Sequence, residues 1–214
     1  MNLFKYIILL MFLSNTALGA TVHIVLDPAH GGPNEWGTTG DGFDEKTINL
    51  ILAKKIQTLI DANDSYEVVL TRSSDYPLSL NERRKIANQY SPSIFLSIHS
   101  STYDNEPAVV TYVLKQAQWK QNSIFTPIEF VHVNEYNHSL KLAETFENEF
   151  PEHIDHQMTI SKFPLASIVG IVTPAVMIEC LCVSRSQPST EDASMDTMAR
   201  AIADGVQRFA RKVY

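Results

Sequence analysis

Short apolar runs alternate with amphipathic segments along this chain, and that alternation restricts the fold more than any other feature. The apolar runs are rich in β-branched residues, which is typical of buried strands. The segments between them repeat apolar residues every three to four positions, which indicates helices. This order predicts a single α/β domain with a twisted, mostly parallel sheet and helices on both faces. The predicted strands cover residues 22–26, 66–71, 93–98, 108–114 and 174–178. The predicted helices cover residues 46–60, 137–150 and the C-terminal stretch, and a capping box at 79–82 opens one more helix.

Composition and charge narrow the class of protein. The 214 residues are 44% hydrophobic and 19% charged, which is typical of a folded chain and sufficient for one domain with a core. The formal net charge is −7, and Lys and Arg form no dense patch. Because neutralised phosphates supply most of the affinity for nucleic acid, nucleic acid is not an expected partner.

The first residues have the pattern of a secretory signal. Lys5 precedes a short apolar run at 6–13, and the small residues Ala17, Gly19 and Ala20 provide a cleavage site. The alternative is an uncleaved anchor, but the run is shorter than the ~20 residues that span a bilayer. Residues 1–20 are therefore predicted to be a signal peptide. The mature chain, 21–214, is expected to be periplasmic or secreted, without stable membrane insertion.

Three chemically capable side chains follow or end predicted strands. His30 follows the first strand within Asp27-Pro-Ala-His-Gly-Gly, His99 ends the 93–98 strand, and Glu179 ends the last strand. Ligand sites of parallel sheets lie beyond the carboxyl ends of the strands, so these residues are expected to converge. Glu45 begins the first long helix. Two imidazoles and one carboxylate, with a fourth position open for water, form the usual catalytic zinc site.

Each of these residues has an alternative interpretation when it is taken alone. A histidine at a strand end is more often a hydrogen-bonded polar residue than a metal ligand. Glu45 fits a favourable acid at a helix N-terminus, and Glu179 fits a salt-bridged structural acid. The surrounding motifs distinguish these alternatives.

Five segments resemble the zinc-dependent N-acetylmuramoyl-L-alanine amidases of the Amidase_3 type, in the order and at the spacing of that family. The resemblance implies a phosphorylase/hydrolase-like α/β fold in which His30, Glu45 and His99 hold Zn²⁺ and Glu179 is the catalytic carboxylate. It also implies that residues 21–214 form a zinc amidase catalytic domain. The segments are 27–32 (DPAHGG), 44–50 (DEKTINL), 70–88 (LTRSSDYPLSLNERRKIAN), 93–101 (SIFLSIHSS) and 173–179 (TPAVMIE).

The implied reaction is hydrolysis of the amide bond between N-acetylmuramic acid and L-alanine in peptidoglycan. A carboxylate such as Glu179 can take a proton from water and pass it to the departing amine. Two alternatives remain: a zinc carboxypeptidase that acts on stem peptides, and a catalytically inactive peptidoglycan-binding or regulatory relative. The presence of all four site residues argues against an inactive relative.

Further expectations concern residues around the site. Arg72 and Arg83 are expected to form structural ion pairs, with Asp75 as the candidate partner. Asp27 is expected either to orient His30 or to cap its strand. Cys180 and Cys182 are expected to be two core thiols without a disulfide.

The segment 115–136 shows no regular period and is expected to be a loop near the active edge, where His132 and His138 could line a groove. An activator protein is a further expected partner, because some relatives carry a helix that blocks the zinc until a partner displaces it. The 115–136 segment is the candidate for such a gate.

Overall fold

The computed structural model describes residues 21–35, 37–40, 42–91, 93–103, 108–114, 128–153, 158–163, 165–184 and 193–214. The predicted signal peptide and residues 115–127 lie outside these ranges. The strands are β1 (Val22–Pro28), β2 (Thr39–Gly40), β3 (Phe43–Asp44), β4 (Tyr66–Leu70), β5 (Ser93–Tyr103), β6 (Ala108–Leu114), β7 (Met158–Phe163) and β8 (Ala175–Ser184). The α-helices are α1 (Glu45–Ile60), α2 (Leu80–Ala87), α3 (Tyr136–His153) and α4 (Ala193–Val213), and a 3-10 helix covers Ile128–Glu135.

A six-stranded sheet in the order β4-β1-β5-β8-β6-β7 organises the domain. Strands β4, β1, β5 and β8 run parallel to one another. Strand β6 is antiparallel to β8 and parallel to β7. The predicted single α/β domain with a mostly parallel sheet is therefore confirmed. The carboxyl ends of β1, β5 and β8 meet at one edge, as expected for neighbouring parallel strands.

One face of the sheet packs against three long helices, α1, α3 and α4. Alternate strand residues such as Leu26, Ile98 and Ile178 are fully buried in this core. They meet buried apolar residues at helical spacing, for example Leu52 and Ile56 of α1. Burying each such side chain contributes roughly 1.5–3 kcal/mol, so this face contains most of the apolar stabilisation.

The opposite face has a thinner cover made of α2 and the segment 165–171. A smaller cluster here contains Val25, Phe95 and Ala175 of the strands, with Ala87 of α2 and Ile168 above them. Helix α2 begins as its sequence predicts. The Ser79 hydroxyl accepts a hydrogen bond from the Glu82 amide at 3.3 Å, and the Glu82 carboxylate accepts one from the Ser79 amide at 2.8 Å.

Some boundaries differ from the sequence-based prediction. Strands β5 and β8 continue beyond 98 and 178, so His99 and Glu179 lie inside strands and not at their ends. Strand β7 and the β2–β3 pair were not predicted. Cys180 is buried in the core, as expected, while the Cys182 side chain lies outside the described residues. Within the described part of the chain, no helix has the length and apolar character needed to cross a membrane.

The sequence-based prediction placed the 115–136 segment near the active edge of the sheet, and this is wrong for its end. Glu135 and His138 line a cleft with Ser93 and Pro174, at the amino ends of β5 and β8 and so at the edge opposite the candidate site. His132 is buried in the 3-10 helix at 7% exposure. This part of the segment therefore cannot gate the site.

Candidate metal centre and its cleft

The strand pleat places the candidate catalytic residues on the thinly covered face. Ile98 and Ile178 point into the helix-covered core, so their neighbours His99 and Glu179 point the opposite way. His99 and Glu179 are paired in register on adjacent strands. Two residues 80 positions apart in the chain are thereby brought side by side, as their places in the sequence predict.

Two imidazoles face one carboxylate at the carboxyl edge of the sheet. His30 Nε2 lies 3.3 Å and His99 Nδ1 lies 2.9 Å from the same oxygen, Glu45 Oε1. The two rings are perpendicular, with centroids 5.4 Å apart. One ligand atom from each residue lies within 4.8 Å of the others. The structure thus brings all three predicted ligands together.

Hydrogen bonding keeps the Glu45 carboxylate ionised. Burial by itself would raise its pKa, but hydrogen bonds from His30, His99 and the Thr38 amide outweigh burial and hold the pKa of Glu45 far below its usual range. The same contact with Glu45 raises the pKa of His30. An ionised carboxylate at 5% exposure, beside two ring nitrogens, provides the charge that a divalent cation requires.

Sequence reasoning missed two groups that position Glu45. The Thr38 amide donates to Glu45 Oε2 at 2.8 Å. Asn49, one turn along α1, donates through Nδ2 to Glu45 Oε1 at 3.5 Å and to the Ala29 carbonyl at 3.3 Å. The i, i+4 spacing of Glu45 and Asn49 was the available signal. Gly37, at φ +71°, is also required, because a Cβ there would overlap Glu45 Oε2 and lie 2.7 Å from His30 Cδ2.

Glu179 lies beside this group in a half-buried position. Burial raises its pKa, while His99 and His30 act to lower it and Glu45 acts to raise it further. A carboxyl group with a raised pKa next to two imidazoles is suited to exchanging protons.

The chemistry of the donor set fits zinc. Two imidazole nitrogens and one carboxylate oxygen, gathered within 4.8 Å, correspond to the three protein ligands of catalytic zinc sites. Glu45 opens α1, His99 lies in β5, and His30 lies in the turn that follows β1. A cation bound here would therefore be held by residues of one helix, one strand and one turn.

The two arginines and Asp27 meet the expectations only in part. Arg83 forms the expected structural ion pair, but its partner is Asp27, at 2.6 Å, and not Asp75. Arg72 forms no ion pair among the described contacts, because its guanidinium donates to backbone carbonyls. Asp75 pairs with Lys46 at 2.7 Å. Asp27 accepts from Thr71 and Arg83, so it does not orient the His30 ring.

A cleft of about 450 Å³ opens beside the metal group on the thinly covered face. Its floor is formed by strand side chains, and its walls are the start of α2 and the segment 165–167. The Arg83 side chain reaches from α2 to Asp27 of β1, and the ion pair between them, at 2.6 Å, neutralises both charges. The lining includes Asp27, His30, Glu35, Leu78, Leu80, Arg83, Ser97, His99, Leu165, Ser167 and Met177.

The strand order and the His/Glu/His group at the carboxyl edge define an α/β protein with a candidate catalytic metal site. The Amidase_3 sequence profile, described as N-acetylmuramoyl-L-alanine amidase, matches residues 24–208. The chain therefore belongs to the N-acetylmuramoyl-L-alanine amidase family, and the predicted family is confirmed.

Individual relatives agree with this assignment over shorter stretches. The probable N-acetylmuramoyl-L-alanine amidase AmiB of Haemophilus influenzae is 34% identical over 90 residues, which are 42% of this chain and 21% of that protein. The sporulation-specific N-acetylmuramoyl-L-alanine amidase of Bacillus subtilis is 40% identical over 79 residues, which are 36% of this chain and 31% of that protein. The matches thus span about a fifth to a third of these curated relatives.

A solved structure matches nearly the whole fold. The catalytic domain of CwlV, an N-acetylmuramoyl-L-alanine amidase from Bacillus (Paenibacillus) polymyxa var. colistinus, has a TM-score of 0.64 and 25% identity. The match covers 88% of this chain and 98% of that one. The described fold is thus that of an amidase catalytic domain.

Proposed function

We propose that this protein hydrolyses the amide bond between N-acetylmuramic acid and the L-alanine of the stem peptide in peptidoglycan. His30, Glu45 and His99 hold zinc, and Glu179 is the catalytic carboxylate. The observation that carries the proposal is the meeting of four side chains from separate segments at one sheet edge. Membership of the amidase family supports the choice of bond.

The metal would supply a Lewis acid that polarises the scissile carbonyl and lowers the pKa of a water molecule. Glu179 accepts a proton from the attacking water and then donates a proton to the departing nitrogen of L-alanine, so that the amide C–N bond breaks and a carboxylic acid and an amine form. The raised pKa of Glu179, caused by burial, suits both transfers.

The cleft beside His30 and His99 is the proposed binding place for the substrate. Its lining combines leucine and methionine side chains with serine hydroxyls, and its buried charges are already paired. This lining suits an uncharged group with both apolar and hydroxyl-bearing parts. The exposed side chain of Leu80, at 47%, stands at the wall of the cleft where such a group would cover it.

The proposed setting is outside the cytoplasmic membrane, in the periplasm or the surrounding medium. The signal-like pattern of residues 1–20 and the location of peptidoglycan support this proposal. An activator protein remains a proposed partner without a described docking surface.

Digestion of purified peptidoglycan, analysed by mass spectrometry, tests the function. The reactions contain zinc or a chelator, and they compare the protein with E179Q and with the matched variant E67Q. Glu67 lies on β4 with 61% of its side chain exposed, away from the site. We expect intact stem peptides with a free L-alanine amino group, formed only with zinc, lost in E179Q and kept in E67Q.

Two other results would contradict the proposal in different ways. Shortened stem peptides would assign the bond to a carboxypeptidase that uses the same metal site. An absence of cleavage by a folded, zinc-loaded protein would assign it to the inactive relatives.

A further inference from the structure

His30 is held in a backbone conformation that non-glycine residues rarely adopt. Its φ is +62°, and the next two residues, Gly31 and Gly32, also have positive φ values, of +139° and +76°. The left-handed region is unfavourable for residues with a Cβ and persists only where the surroundings enforce it. Such strain at a proposed metal ligand calls for a structural cause.

Two buried arginines bind the carbonyl groups around this residue. Arg83 donates through Nη2 to the His30 carbonyl at 2.8 Å and through Nη1 to the Pro28 carbonyl at 3.0 Å. Arg72 donates through Nε to the Pro28 carbonyl at 2.9 Å and through Nη2 to the Ala29 carbonyl at 2.9 Å. Three successive carbonyls of the turn thus receive charged donors.

These contacts are built into the protein interior. Arg72 is fully buried, and Arg83 is 4% exposed. The Arg83 charge is balanced by Asp27, which is 1% exposed. A planar guanidinium with several fixed donors can hold two or three carbonyls in one arrangement, whereas an ammonium group holds them less rigidly.

The glycines that follow His30 complete the same arrangement. A Cβ on Gly31 would lie 2.5 Å from the Tyr76 carbonyl oxygen, and one on Gly32 would lie 2.7 Å from Pro77 Cδ. The Gly32 carbonyl accepts from Lys46 Nζ at 2.9 Å. The turn is therefore packed against residues 76–77, and its carbonyl groups accept hydrogen bonds from the side chains of Lys46, Arg72 and Arg83.

We propose that Arg72 and Arg83 are positioning residues that lock His30 in its left-handed conformation and so preset the imidazole for the metal. The proposal rests on the proposed zinc site. Locking the turn means that little ordering is left to occur when the metal binds, which strengthens binding. The arginines act on the metal site through the backbone of His30.

The zinc affinity of R83K, measured by competition with a chromophoric chelator, tests this role without any activity assay. The matched control is R84K. Arg84 lies on the same helix and also donates to a carbonyl, that of Val169 at 2.8 Å, away from the metal group. We expect about 10- to 100-fold weaker zinc binding in R83K and an unchanged affinity in R84K.

D27N separates the ion pair from the turn. It removes the buried carboxylate charge but leaves Arg83 able to donate to the Pro28 and His30 carbonyls. We expect lower thermal stability with nearly unchanged zinc affinity. A loss of affinity in D27N as large as that in R83K would overturn the assignment of the effect to the carbonyl contacts.

The remaining outcomes are distinguishable. If the unsubstituted protein binds zinc and R83K binds it equally well, the positioning role is wrong while the proposed function stands. If the unsubstituted protein binds no zinc, the proposed function fails, and this inference fails with it. Should R83K not fold, a crystal structure of the chelator-treated protein decides: a positive φ at His30 with both arginine contacts supports the proposal, and an extended His30 overturns it.

Discussion

The two faces of the sheet are built from the same strands but differ in what covers them and in what they can do. On one face, Leu26, Ile98 and Ile178 are fully buried under three long helices. On the other, where α2 and the segment 165–171 form the cover in the described part of the chain, His99 lines a cleft and Glu179 lies beside His99 on the next strand. Because side chains alternate along a strand, adjacent residues such as Ile178 and Glu179 face opposite sides of the sheet. One stabilises the core, and the other is available for catalysis.

The largest expected effect is a loss of activity on substitution of Glu179, which lies on the face of the sheet with the candidate catalytic residues. E179Q should lower kcat by about 10²- to 10⁴-fold, the contribution typical of a general acid–base group. The midpoint of urea unfolding should stay close to that of the unsubstituted protein, because the amide occupies nearly the same volume. Steady-state assays and urea denaturation measure the two quantities. A large loss of stability in E179Q would contradict the assignment of stability to one face of the sheet and of chemistry to the other.

The neighbouring residue gives the converse test. Ile178 is fully buried in the helix-covered core, so Ile178→Ala should lower the free energy of unfolding by about 2–5 kcal/mol. The kcat of the remaining folded protein, measured at a temperature well below its unfolding midpoint, should be nearly unchanged. A kcat loss comparable to that of E179Q would show that the two faces are coupled.

Gly37 lies at the candidate metal site and Gly205 lies in the helix-covered core, so a glycine-to-alanine substitution can be compared in the two regions. A Cβ at Gly37 would overlap Glu45 Oε2, whereas one at Gly205 of α4 would overlap the ring of Phe146 on α3. We expect G37A to weaken zinc binding about 10- to 100-fold, as when a ligand-positioning group is disturbed. We expect G205A to lower the free energy of unfolding by about 1–3 kcal/mol through overpacking, with zinc affinity retained.

Chelator competition and urea denaturation applied to both variants check this pair. The double variant F146L/G205A should recover part of the lost stability, because the smaller side chain makes room for the methyl group. If G37A retained its zinc affinity, the close approach of Gly37 to Glu45 would not matter for the site.

The smallest expected effect concerns pH. Burial lowers the pKa of His132 below its ordinary 6.5, and neither ring nitrogen has a hydrogen-bond partner among the described residues. At a pH below about 6.5, His132 therefore binds a proton more readily in the unfolded chain than in the folded protein. The free energy of unfolding consequently decreases as the pH falls through this range. H132L should make the free energy of unfolding less dependent on pH between 7 and 5. The exposed His138 provides the control, and an equal change in H138Q would contradict this origin.

Much of the fold follows from local pattern. The 16-residue helix α1 has a clear helical period, and β1, β5 and β8 each contain a short apolar run. The convergence of His30, His99 and Glu179 follows from parallel strands. The lengths of β5 and β8 were underestimated because polar residues such as Ser100 follow the apolar runs. Their burial depends on neighbouring strands and not on sequence period.

Other features depend on contacts that no local pattern encodes. The direction of β6 depends on how the chain returns to β8, and the period of an isolated strand is the same in either direction. Arg72 was expected to form an ion pair, but its donors meet carbonyls of the turn after β1. The position of Asp27 beside Arg83 brings together residues 56 positions apart. These pairings arise only once the sheet has formed.

X-ray diffraction of zinc-loaded crystals, recorded on both sides of the zinc absorption edge, tests the central claim most directly. We predict an anomalous peak within bonding distance of His30, Glu45 and His99, with Glu179 beside it on the cleft side. The peak should disappear after chelator treatment. A protein with full amidase activity and no peak at these three residues, or a peak elsewhere in the molecule, would contradict the account.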